Sequence, residues 1–155
     1  MTSKERVLKR EFDRGRMAAQ EVQSKSPEMT GTELNAVDDR IPKFTEAVKV
    51  MNMLNRKAGL KDGFICKSSA GRVVRLIQNY DSDIYTAEPE ELIAQWGFVW
   101  SNDPKKAKPF VAISTSPYMK DNCCIEPTDG KVYASEIDNN VHSPAAYPQG
   151  WRLAE

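Results

Sequence analysis

The chain has 155 residues, 40% of them hydrophobic, and 22 basic side chains balance 22 acidic ones. That length holds one ordinary domain, or two small ones with an appendage, and the balanced charge leaves the whole molecule without the footprint of a nucleic-acid binder. No run of about 18 apolar residues is available to span a membrane, and the charged stretch from Lys4 to Arg16 lacks the apolar centre of a signal peptide. The sequence therefore reads as a protein made in the cytoplasm of its producing cell that does not leave by the general secretory route.

Charge is unevenly placed. Residues 1–25 carry seven basic side chains (Lys4, Arg6, Lys9, Arg10, Arg14, Arg16, Lys25) against four acidic ones, whereas residues 121–155 carry six acidic against two basic. Such a pattern suits a solvated helix beside an acidic β domain, and it also suits head-to-tail steering.

Residues 4–24 contain no proline, and Leu8, Phe12, Gly15, Ala19 and Val22 follow one another at steps of 4, 3, 4 and 3. This is the a/d spacing of a coiled coil over only about two heptads, with a glycine costing about 1 kcal/mol against alanine. A helix this marginal needs a partner. The five residues are the candidate oligomerisation or anchor face, and the small side chains at 15 and 19 allow close approach. A polar linker follows (Ser24 to Thr32), and then a stretch to Pro42 with no clear period. A second helix is expected next, capped by Thr45, with Val48, Met51, Leu54, Asn55 and Ala58 on one face and Gly59 just past its end.

From Gly63 the texture is β, and it is written twice. Lys61-Asp62-Gly63-Phe64-Ile65-Cys66 runs on to Gly71-Arg72-Val73-Val74, and 59 residues later Lys120-Asp121-Asn122-Cys123-Cys124-Ile125 runs on to Gly130-Lys131-Val132-Tyr133. Each copy reads as a hairpin around its glycine, passes an Asn/Asp-rich patch (Asn79 to Asp83, Asp138 to Asn140) and a proline (Pro89, Pro144), and closes on a tryptophan (Trp96, Trp151). Between the copies stand the aromatic strand Gln95 to Trp100 and a basic connector, Asp103 to Pro109. Small duplicated units bury little alone, so the two copies are expected to pack together.

The second copy, Tyr118 to Leu153, resembles small carbohydrate-binding modules of the chitin-binding type. Tyr118, Lys120-Asp121, the hairpin Asp129-Gly130-Lys131-Val132-Tyr133, Pro144 and the closing Trp151 occupy the places of that pattern. The phrase Ile137-Asp138-Asn139-Asn140-Val141 followed by Ser143-Pro144 looks like the phage-encoded version. Residues 63–155 together also resemble short proteins encoded near the tail and structural genes of prophages. The resemblance implies a glycan platform at Trp100, Tyr133, His142, Tyr147 and Trp151. The chain departs from the pattern after Tyr133, where Ala134-Ser135-Glu136-Ile137 offers no aromatic, and at His142, which stands where the phage versions often have a tryptophan.

Enzymatic chemistry finds little support. His142 is the single histidine, and the three cysteines (Cys66, Cys123, Cys124) lack the CxxC spacing of a zinc site; they read as buried structural thiols. Glu88, Glu90 and Glu91 read as a solvated acidic loop. The Asn/Asp patches lack calcium-loop spacing and read as turn formers. Trp96 and Trp151 read first as core, and Trp100 and Tyr147 as the better exposed contacts.

The expected fold is α+β: an N-terminal helix (1–26), a linker and second helix (27–60), and two mainly antiparallel β modules (61–109 and 110–155). The expected function is a non-enzymatic structural or accessory protein of a bacteriophage particle, such as a fibre, spike or decoration on head or tail. Its helix would anchor it to other virion proteins or form a homo-oligomer, a trimer favoured, with no cofactor, metal or nucleic acid. The alternative is a soluble module binding chitin or another cell-wall or host-surface polysaccharide.

Overall fold

A computed structural model describes residues 2–56 and 63–154, with the side chains of residues 5 and 7–14 outside the description. Helix α1 (Ser3–Lys25) leads through a 3-10 turn to α2 (Gly31–Ala36) and α3 (Phe44–Val50). Strands β1 (Ile65–Lys67), β2 (Val73–Leu76) and β3 (Trp96–Phe98) form an antiparallel sheet in that order. Strands β4 (Lys108–Pro109), β5 (Cys123–Ile125), β6 (Val132–Ser135) and β7 (Trp151–Leu153) form a second, mixed sheet, so the fold is α+β.

The duplicated stretch builds a similar hairpin twice, the second with a turn one residue longer (Lys67 pairs with Val73, Ile125 with Val132). Cys66 lies opposite Val74 and Cys124 opposite Tyr133, and the closing tryptophans pair in the same way, Trp96 with Leu76 and Trp151 with Ser135. The reason is local: Gly71 and Gly130 take left-handed backbone (φ 83° and 70°), which a side chain disfavours and glycine accepts. Both turns also offer a backbone N–H to a carboxylate. The Ser69 amide donates to Glu88 Oε1 (2.8 Å), and its equivalent at Thr128 donates to Glu126 Oε2 (2.9 Å), whose other oxygen accepts from Ala145 N (3.0 Å). In each copy a glutamate thus ties the turn to the long loop, from the loop side in the first and from the turn side in the second.

The sheets share one aromatic core. Phe98 stacks on Trp100 (centroids 5.7 Å), Trp100 on Tyr118 (4.3 Å), and Tyr118 meets Trp151 at 5.4 Å, so a row of rings runs from β3 to β7. Trp96, fully buried, sits edge-on to Phe44 and gives its indole N–H to Tyr80. A smaller cluster of Val22, Leu34, Ile41, Ile65 and Val73 lies where the end of α1 and α2 meet the first sheet.

The basic connector becomes a turn over Pro104–Lys106, capped by Asp103, and then β4, which runs parallel to β5 at the sheet edge. Proline suits an edge because it has no N–H to contribute. The Pro109 carbonyl accepts both Nε (3.1 Å) and Nη2 (2.7 Å) of Arg72, a buried arginine whose Nη1 lies 3.6 Å from Glu90. One guanidinium therefore fastens the first hairpin to the second sheet.

Several expectations need correction. Helix α3 starts at Phe44 with Lys43, not Thr45, in the N-cap position. It ends at Val50 because Asn52 opens a separate 3-10 turn, its Oδ1 accepting from Leu54 N. Leu54 is consequently exposed while Met53 is buried; Ala58 and Gly59 lie outside the described residues. Helix α2 was not foreseen, although Thr30-Gly31-Thr32-Glu33 forms a complete capping box. The acidic loop is only partly solvated, since Glu88 caps Ser69 and Glu90 faces Arg72.

Candidate functional site

The five residues suggested for a glycan platform do not converge. Trp100 is an interior ring of the aromatic row, and its indole N–H donates to the Ser116 carbonyl at 2.9 Å, so it is not an exposed contact. Trp151 is equally buried and donates to the His142 carbonyl (2.8 Å), acting on the surface only through the backbone it holds. Tyr133 is half-buried, and its hydroxyl donates to Asp129 Oδ2 at 2.6 Å, which raises the phenol's pKa above its ordinary value.

His142 and Tyr147 do come together. Their rings meet edge to face (5.8 Å, 77°) in a shallow groove of about 410 Å³ lined by Ile137, Asn139, His142, Ala146 and Tyr147. Asn139 adopts left-handed backbone (φ 55°), and the buried Asn140 beside it organises the floor. Asn140 Nδ2 donates to Ser135 Oγ and to the Gly150 carbonyl (both 3.1 Å), while its Oδ1 accepts from His142 N (3.2 Å). A Cβ at Gly150 would stand 2.8 Å from Tyr147 Cδ2, so only glycine leaves space for that ring. Exposed tyrosine and isoleucine beside an asparagine present an apolar face with a polar edge, a combination suited to a sugar ring. The Asn/Asp patch signalled a turn in the sequence; the role of Asn140 as a buried support required the fold.

The second candidate surface is α1. Its last turn is clamped to the body. The Gln23 amide pairs with both backbone groups of Ile65, donating to the carbonyl at 2.6 Å and accepting from the N–H at 3.0 Å, as a neighbouring strand would. Arg75 Nη2 donates to the Ser26 carbonyl at 2.7 Å, and Val22 is buried in the smaller cluster. Val22 therefore belongs to the fold rather than to a free interface. Toward the N-terminus the surroundings open: apart from its own helix backbone, Gly15 has no neighbour among the described residues within 4 Å of a Cβ position, Met17 is 66% exposed, and Ala19 is half-buried. Met17, Ala18, Gln20, Glu21 and Ser24 line a concave strip on this helix. Leu8 and Phe12 lie outside the described side chains.

Cys66 and Cys124 are not poised for chemistry. None of the three cysteines forms a disulfide and all are buried, and burial first, with Glu88 and Glu90 second, pushes Cys66 far above the ordinary thiol range. Burial does the same to Cys124, aided by Glu126. A protonated thiol is a poor nucleophile and metal ligand.

Compared with protein-family models, curated proteins and solved structures, the chain matches none of them.

Proposed function

We propose that this chain is a non-enzymatic structural or accessory component of a bacteriophage particle, attached or oligomerised through α1 and displaying its two β modules. The observation that carries this reading is the division of α1 into a clamped end and an open one. Val22, Gln23 and Ser26 hold its C-terminal turn on the body, while Gly15 and Met17 precede it exposed. A helix fixed at one end, with Gly15 and Met17 exposed ahead of the clamp, suits attachment to a second copy or another virion protein. The phage resemblance of residues 63–155 supplies the particle. Sedimentation equilibrium tests the attachment: the full chain self-associates at micromolar concentration, and a chain lacking residues 2–16 is monomeric. A monomer in both cases refutes self-association, and absence of the chain from purified particles by mass spectrometry refutes the virion assignment.

The groove at His142 and Tyr147 favours a second reading, a soluble glycan-binding module. Retention on chitin or peptidoglycan that Tyr147→Ala abolishes supports it, and no retention of the wild type on any polysaccharide ends it.

A further inference from the structure

A cleft of about 350 Å³ opens where three parts of the chain meet, lined by Asp38, Lys43, Thr45, Lys67, Ser68, Ser69, Gly71 and Lys108. The chain as a whole is neutral, yet four lysines gather here: Lys43, Lys67 and Lys108 in the lining, and Lys106 beside them. Asp38 is the one carboxylate in the lining. Its two oxygens each accept from a different ammonium, Oδ1 from Lys106 Nζ and Oδ2 from Lys108 Nζ, both at 3.1 Å. Burial works to raise the Asp38 pKa, and the hydrogen bonds from Lys108 and Lys106 outweigh it, so the carboxyl is held below its ordinary value. Against these four positive charges stand Asp38 and, on the Ser69 amide at the edge of the cleft, Glu88. No carboxylate among the described residues pairs with Lys43 or Lys67.

The lysines are placed by backbone rather than by chance. Lys67 N–H donates to the Pro42 carbonyl (2.8 Å), and a parallel bridge between Lys43 and Lys67 sets the two side by side at the edge of β1. Lys108 is carried by β4, and its stem passes the open space above Gly71, with Cδ 3.9 Å from a Cβ position there. The duplicated hairpin supplies an internal comparison: at the places of Lys67 and Ser68 the second module has Ile125 and Glu126. The second hairpin therefore has no counterpart of Lys67 at this place.

The geometry points to a binding site for a phosphate group carried on a sugar or polyol. Lysines lining one cleft from β1, β4 and the residue before α3 suit a compact, multiply charged oxyanion, whereas a flat carboxylate is matched better by an arginine fork. The volume exceeds a bare phosphate, and Thr45 and Ser69 in the lining bring hydroxyls that an attached polyol could bond. Asp38 already occupies part of the place that the oxyanion takes.

The test is an amide-resolved NMR titration of the full chain with inorganic phosphate, glucose 6-phosphate, glucose and poly(glycerol phosphate), in low salt and again at physiological salt. Glucose 6-phosphate shifts the amides of residues 67–71 and 38 saturably, glucose does not, and added salt weakens the effect. Lys43→Gln/Lys67→Gln, at one exposed and one half-buried position, melts like the wild type and binds about tenfold more weakly, about 1.4 kcal/mol. Asp38→Asn, which releases two ammoniums, binds more tightly. A polymer that binds at least tenfold better than the monomer identifies a polymeric phosphate source, and equal affinity a small phosphorylated molecule. The proposal is overturned if no phosphate compound moves these amides saturably, or if the double variant binds as the wild type does.

Discussion

Replacing Trp100 with alanine distinguishes a core ring from a surface contact. Trp100 is 7% exposed, lies between Phe98 and Tyr118, and its indole N–H donates to the Ser116 carbonyl. Truncation removes on the order of 150 Å² of buried aromatic surface, which at roughly 25 cal/mol per Å² is about 4 kcal/mol. Two lost ring contacts add to this and relaxation of the site subtracts, leaving the total within the roughly 3–5 kcal/mol typical of such truncations. For a chain of this size that lowers the melting temperature by about 10–15 °C. Trp100→Phe keeps a ring in the row and leaves the Ser116 carbonyl without its donor, so it costs only about 1–2 kcal/mol. Urea unfolding followed by far-UV circular dichroism reads both. Because the ring row joins the two sheets, Trp100→Ala lowers the stability of both together. A loss below about 1 kcal/mol for Trp100→Ala, with polysaccharide retention as the only property changed, would refute the placement.

Gly15→Ala has open space around it and removes a poor helix former, so α1 gains about 0.5–1 kcal/mol and far-UV helicity rises; a fall would contradict a helix through this point. Gly31→Ala drives a Cβ into the Trp100 carbonyl oxygen and destabilises by roughly 1–3 kcal/mol or more, whereas Gly130→Ala meets no atom among the described residues and costs about 1 kcal/mol for its φ of 70° alone. Equal melting temperatures for the two variants would contradict the close passage of α2 against Trp100. Glu126 is held below its ordinary value of 4.5 first by the Thr128 amide, with Ala145 N adding to it. Its contribution is therefore present above that value and lost as pH falls through the lower folded-state value. Thermal melts from neutral pH downward should show Glu126→Gln less stable than wild type near neutrality and converging with it in acid; a constant difference across the range would contradict the linkage.

Local features were legible and distant pairings were not. The hairpins could be read because glycine at 71 and 130 and the flanking β-branched residues act within a few positions of one another. The capping box at Thr30 and Glu33 is just as local and was legible, but its helix is only six residues long and has too few turns to show a period. The misplacement of Trp100 has a different origin. It follows an alternating aromatic strand, and alternation alone does not reveal that a second sheet covers both neighbours. Of the proposed glycan platform, His142 and Tyr147 meet in the groove because they share one loop, while Trp151 enters the core with its strand.

By itself the sequence determined the duplicated β unit, the helical leader and the α+β class, since each rests on turn chemistry and periodicity within a short span. Only the tertiary structure decided which aromatic rings face water, that Arg72 fastens one hairpin to the other sheet, and that Lys43, Lys67 and Lys108 surround one cleft. Those residues are brought together by the packing of two sheets over a shared aromatic core, and that packing is a long-range property with no period along the chain.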